Sequence, residues 1–116
     1  MEILSNNPMV WDRFPKCTRV EGSARDVLVT ARNRVHGGYS LVAHPIAGNA
    51  RLCRNPYRSV VIGERAPEPS VADIACVEDA LERVRSSESD ETARSSADYA
   101  LIDLDLLTSS LSGVQS

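Results

Sequence analysis

Aromatic side chains are scarce in these 116 residues: Trp11, Phe14 and three tyrosines supply 4% of the chain. Proteins that hold single-stranded nucleic acid stack bases on interleaved rings along a cationic groove. The shortage of rings, together with a formal net charge of −3, argues against nucleic acid as a partner. Lysine is nearly missing as well, since Lys16 is the one lysine among thirteen basic residues. Arginine so general is a compositional habit, and a single arginine carries little weight. The three cysteines, Cys17, Cys53 and Cys76, show no CxxC spacing and no neighbouring histidine. That is the pattern of reduced thiols, not of a zinc site or a disulfide framework. The opening Met-Glu-Ile-Leu has no basic n-region, and no long apolar run follows. Neither a signal peptide nor a membrane span is expected, and the expected location is cytoplasmic.

Motifs that name a reaction or a cofactor are also missing. There is no GxxxxGK[ST] or GxGxxG phosphate loop, no GxSxG, no HExxH and no usefully spaced carboxylate pair. The expectation is therefore no metal and no cofactor, and no nucleophile can be named.

What remains is an ordinary globular composition, 42% apolar and 25% charged, with length for one core. Glu2-Ile3-Leu4 reads as a first strand, stopped by Asn6-Asn7-Pro8, and residues 9–16 read as a loop carrying Trp11 and Phe14. Thr18–Glu21 is a weak second strand. Ser23 with Asp26 three residues on suits a helix cap. Val27, Leu28, Ala31 and Val35 recur at helical spacing, and His36-Gly37-Gly38 ends that helix with a cationic turn and a left-handed stop. Tyr39–Ala43 is a strand, so strand, helix and strand make a βαβ unit. Residues 44–57 form a long loop before the buried strand around Val60-Val61-Ile62. Pro67 and Pro69 precede a helix capped by Ser70 and lined by Ile74, Val77, Leu81 and Val84. Residues 86–96 read as a polar linker. Ala97, Leu101, Leu104, Leu107 and Leu111 then mark a last amphipathic helix, packed on the core or on a second chain. The expected architecture is an α/β core over residues 1–85, the linker 86–96 and the helix and tail 97–116. Its sheet is expected to be short, mainly parallel and four-stranded, flanked by three helices.

The unusual loop residues follow the apolar runs: Asn6-Asn7-Pro8, Glu21-Gly22-Ser23 and His44-Pro45-Ile46-Ala47-Gly48. Parallel strands of one open sheet would bring these turns to one edge, where such sheets bind ligands. The candidate ligand-binding residues are Asn6, Asn7, Gly22, Ser23, His44, Gly48, Arg51 and Arg54. Paired amides suit a carboxylate or amide ligand, and the arginines, with Arg58 beyond them, suit an anion. His44 is the candidate for acid–base chemistry, with Asn7 or Glu21 in support. Local roles compete with each of these. Asparagines bond their own turns, a histidine can fix a loop, and arginines can face solvent. Charge is divided along the chain: residues 1–65 hold ten basic and five acidic residues, residues 66–116 three and eleven. This fits a mildly basic binding region with acidic helices beside it, or simply solvated helix faces.

Taken together, Ser5-Asn6-Asn7-Pro8, Glu21-Gly22-Ser23, His44-Pro45-Ile46-Ala47-Gly48 and Asn55-Pro56-Tyr57-Arg58-Ser59 resemble the GrdX family. The resemblance covers roughly residues 1–65 and, loosely, the helix at 70–85, with Arg58 standing where lysine is expected. It implies an association with anaerobic glycine, sarcosine and betaine reductase systems, and transfers no catalytic residues. The expected function is a non-catalytic accessory or regulatory protein that binds a small anionic metabolite, or a protein partner, at the strand-end loops. A small enzyme using His44 and a structural subunit of a reductase complex are the alternatives. Reductase components and a second copy of the chain are the expected protein partners.

Overall fold

The computed structural model describes residues 2–42, 56–86 and 93–115. In chain order the elements are β1 (Glu2–Ser5), α1 (Pro8–Arg13), β2 (Thr18–Arg19), α2 (Ala24–His36), β3 (Tyr39–Leu41), β4 (Ser59–Arg65), α3 (Val71–Ser86) and α4 (Ala93–Gln115). The four strands form one sheet in the order β2-β1-β4-β3.

That sheet is mixed, not mainly parallel. β1 and β2 are parallel, whereas β4 runs antiparallel to both β1 and β3. The reason the strand sequence misleads is burial. β4 sits at the centre with helices on both faces, and Val60, Val61 and Ile62 are all buried. A strand covered on both sides needs a continuous apolar run whichever way it points. β1, β2 and β3 nevertheless run in one direction, so their carboxyl ends and the start of β4 share an edge. β2, α2 and β3 do form a strand–helix–strand passage, but β1 and β4 lie between the two strands.

Among the described residues four helices flank the sheet, not three. The additional one is α1, in the segment read as a loop. Asn7 caps it, its side chain accepting from the Met9 N–H, and Pro8 occupies the first turn. Both are helix-start signals; the turn-forming habit of Asn-Asn-Pro masked them. At α2 the expected cap is present in full. Ser23 Oγ accepts from Asp26 N at 3.3 Å, and Ser23 N donates to Asp26 Oδ2 at 2.8 Å. Gly38 follows α2 at φ +101°, where a Cβ would stand 2.8 Å from the Ala66 carbonyl. At α3, Ser70 Oγ accepts from Asp73 N at 3.3 Å, and Asp73 Oδ2 accepts from Leu41 N on the outer strand at 3.1 Å.

Strand alternation divides the core. Leu4, Val60 and Ile62 pack with Val27, Leu28 and Ala31 of α2 and Val77, Ala80, Leu81 and Val84 of α3. Ile3 and Val61 face the other way, against Val10 of α1 and Leu107 of α4, with Phe14, Leu104 and Leu111 around them. α4 starts at Ala93, ahead of the first residue of its apolar pattern. Among its described side chains Ala100, Asp103 and Leu107 are buried, while Leu101 is 51% exposed and does not belong to the packed stripe. No helix among the described residues is long and apolar enough to cross a membrane.

Candidate functional site

The edge where β1, β2 and β3 end is held by the side chains of the first signature peptide. Asn6 and Asn7 are adjacent and turn to opposite partners. Asn6 Nδ2 donates to the Gly22 carbonyl at 3.0 Å and to the Pro56 carbonyl at 2.9 Å. Its Oδ1 accepts from Arg58 N at 2.8 Å. One amide therefore ties the turn after β1, the segment entering α2 and the segment entering β4. Asn7, fully buried, donates through Nδ2 to the Ala100 carbonyl at 2.8 Å and to Asp103 Oδ2 at 3.0 Å. Its Oδ1 accepts from Met9 N at 3.0 Å.

A hydroxyl chain runs beside Asn7. Asn7 N donates to Ser5 Oγ at 3.0 Å, Ser5 Oγ and Ser59 Oγ are 2.7 Å apart, and Ser59 Oγ donates to Asp103 Oδ2 at 2.7 Å. Each hydroxyl has one proton to give. Ser59 spends its proton on the carboxylate, so Ser5 must donate to Ser59. The bonds all point one way, from the Asn7 amide to Asp103, an arrangement in which each bond polarises the next. Asp103 is only 4% exposed. Burial pushes its carboxyl above the ordinary range, against the opposing pull of the Asn7 and Ser59 bonds and the Arg58 charge. Trp11 closes the same corner, with Nε1 donating to the Ser5 carbonyl at 2.8 Å and the Arg19 guanidinium 5.1 Å from its ring centre.

Of the residues expected to meet at this edge, the structure brings Asn6 and Gly22 together, with Ser23 next to them capping α2. Gly22 has φ +154°, and a Cβ there would collide with the Asp26 carboxylate of the capping box. Asn7 lies across the sheet end, against α4. Their amides are engaged with the protein itself: all four amide donors and both carbonyl oxygens have intramolecular partners. His44, Gly48, Arg51 and Arg54 lie outside the described residues. Ser5, Ser59 and Asp103 were missed as members of the cluster. For Asp103 a signal existed: it falls at i+3 from Ala100 and four residues before Leu107, a carboxylate on the apolar face of a helix. Among the described residues no group of His, Cys, Asp and Glu is placed to hold a metal ion, and Cys17 and Cys76 are free thiols whose pKa values burial raises.

Fold and edge together define a three-layer α/β domain with a mixed sheet, whose two signature peptides, Ser5-Asn6-Asn7-Pro8 and Arg58-Ser59, meet a buried carboxylate from the last helix. The family model for GrdX-like protein matches residues 2–112, and the chain belongs to that family. The match extends through α3 and most of α4, beyond the reach of the sequence resemblance. No curated protein and no solved structure matches the chain.

Proposed function

We propose that the chain is a non-catalytic accessory or regulatory protein of anaerobic glycine or betaine reduction, and that it binds a small anionic ligand at the strand-end edge. Family membership supports the pathway. The observation that carries the binding role is the Asn6 anchor. Two of its three bonds hold the Pro56 carbonyl and the Arg58 amide, where the connection from β3 enters β4. That connection contributes His44, Gly48, Arg51 and Arg54, and it joins two strands at the edge where open α/β sheets take ligands. In this reading the asparagines and Gly22 are the frame, and the arginines supply the charge that recognises a carboxylate or phosphate.

Thermal denaturation with glycine, betaine, acetate and inorganic phosphate tests this. A ligand that binds only the folded state stabilises it by about 2.7 kcal/mol at a hundredfold excess over its Kd. Arg51→Gln with Arg54→Gln is expected to abolish the ligand-dependent shift. His44→Ala is expected to reduce that shift while leaving the ligand-free melting temperature in place. The reading fails if no anion shifts the transition, or if the arginine variant shifts as far as the parent. A His44→Ala protein that melts far lower without ligand would assign that histidine to the fold.

A further inference from the structure

A cavity lies toward the start of β1, away from the Asn6 anchor, on the α1 and α4 side. It is about 380 Å³ and is lined by Ile3, Arg13, Phe14, Pro15, Lys16 and Cys17. That volume falls in the range of small-molecule sites, which are apolar clefts with a few polar groups that fix orientation. The apolar wall comes from Ile3, Phe14, Pro15 and the Cys17 thiol. Burial raises the Cys17 pKa, so at neutral pH the thiol is neutral and part of that wall. The polar groups are both cations. Arg13 and Lys16 are exposed, and neither is in an ion pair among the described residues. Lys16 is the chain's one lysine. The last carbonyls of α1 point toward this end with at most about half a negative charge. Two full positive charges outweigh them.

We propose that this cavity binds a small monocarboxylic acid with an apolar body, aryl or short branched acyl. The body would lie against Ile3, Phe14 and Cys17, and the carboxylate between Arg13 and Lys16. The size of the cavity and the sign of its rim select this class. A neutral hydrocarbon would leave both cations unused, and a polyanion would have only two charges to meet it. The inference stands apart from the strand-end reading, because it uses none of the residues of that edge.

Cys17 reports on occupancy. The rate of its alkylation by iodoacetamide, resolved from that of Cys76 by mass spectrometry at mildly alkaline pH, is followed in the full chain as phenylacetate is added. Protection of Cys17 that saturates, with Cys76 unchanged, is the expected result. Phenylacetamide, which keeps the ring and loses the charge, should protect more weakly. Arg13→Gln and Lys16→Gln should each weaken phenylacetate protection about threefold, as exposed ion pairs do, with each variant's protection read against its own ligand-free rate because a neighbouring cation itself tunes the thiol. Arg51→Gln with Arg54→Gln should leave protection untouched, which keeps failure here distinct from failure at the strand-end edge. The proposal is overturned if phenylacetate gives no saturable protection, or if the amide and the acid protect equally. It is also overturned if Cys17 protection rises with protein concentration alone alongside the mass in solution, since a second copy would then fill the cavity.

Discussion

Asp103 places a carboxylate between Ala100 and Leu107, where the helix face is otherwise apolar, and the fold meets it with Asn7, Ser59 and the charge of Arg58. Those contacts lower its pKa, but desolvation raises it by more, so the net shift is upward. The consequence for stability has a definite sign. Between the unfolded value, about 3.9, and the raised folded value, the folded chain keeps a proton that the unfolded chain has lost. In that window Asp103 makes stability fall as pH rises, and above it the penalty is constant. Glu2 acts in the opposite sense. Arg34 Nε donates to it at 2.9 Å and holds its carboxyl below the usual range, so its contribution is lost as pH falls. Denaturant unfolding of Asp103→Asn across this window, compared with the parent, should remove the falling component and leave the Glu2 component. An unchanged slope would mean that Asp103 ionises as it does in the unfolded chain. Asp103→Ala should be worse than Asp103→Asn at every pH, because it deprives Asn7 Nδ2 and Ser59 of an acceptor at about 1–3 kcal/mol for each buried group left unsatisfied.

At the scale of elements, α4 shows where residue pattern and packing part company. Leu107 is buried against Val10 and Val61, while Leu101 stands 51% exposed. Leu107→Ala should cost about 2–5 kcal/mol in urea unfolding, and Leu101→Ser should cost less than about 0.5 kcal/mol. Equal losses would place Leu101 in a buried contact, as on a second chain. The helices α2 and α3 were legible because their caps are local: Ser23 with Asp26, and Ser70 with Asp73, declare themselves within four residues. Those caps and the apolar spacing behind them need no tertiary information. α1 carried comparable signals in Asn7 and Pro8, but in six residues it has no room for an apolar period. The direction of β4 was not legible at all. Strand direction is set by pairing with β1 and β3 across the chain, and a strand buried on both faces has no alternation to reveal its partners. The same distinction governs the edge. The sequence placed Asn6 and Gly22 together because both follow strands, whereas Asp103 reaches Asn7 across 96 residues through a helix whose docking no local pattern specifies.

Across the whole molecule, the edge network joins layers that the core keeps apart. The two apolar clusters lie on opposite faces of the sheet, one under α2 and α3 and the other under α1 and α4. Asn6 connects β1 to Gly22 ahead of α2 and to the start of β4. Asn7, Ser5 and Ser59 connect the same two strands to α4 through Asp103. Hydrophobic burial alone gives each face its own stability and permits a helix to lift off one side. Directional bonds between buried groups raise the cost of such partial opening, since lifting α4 strands several polar groups at once. Native-state hydrogen exchange should accordingly find the amides of α4 around Ala100–Leu107 opening together with those of β1 and β4, at a common free energy. In Asn7→Leu the cap of α1 and both bonds to α4 are lost. The α4 amides should then exchange through a separate, lower-energy opening while α2 and α3 retain the slower one. If α4 already exchanges independently in the parent chain, the network does not couple the layers. The buried polar cluster would then serve to fix the geometry of the strand-end edge without holding the two faces together.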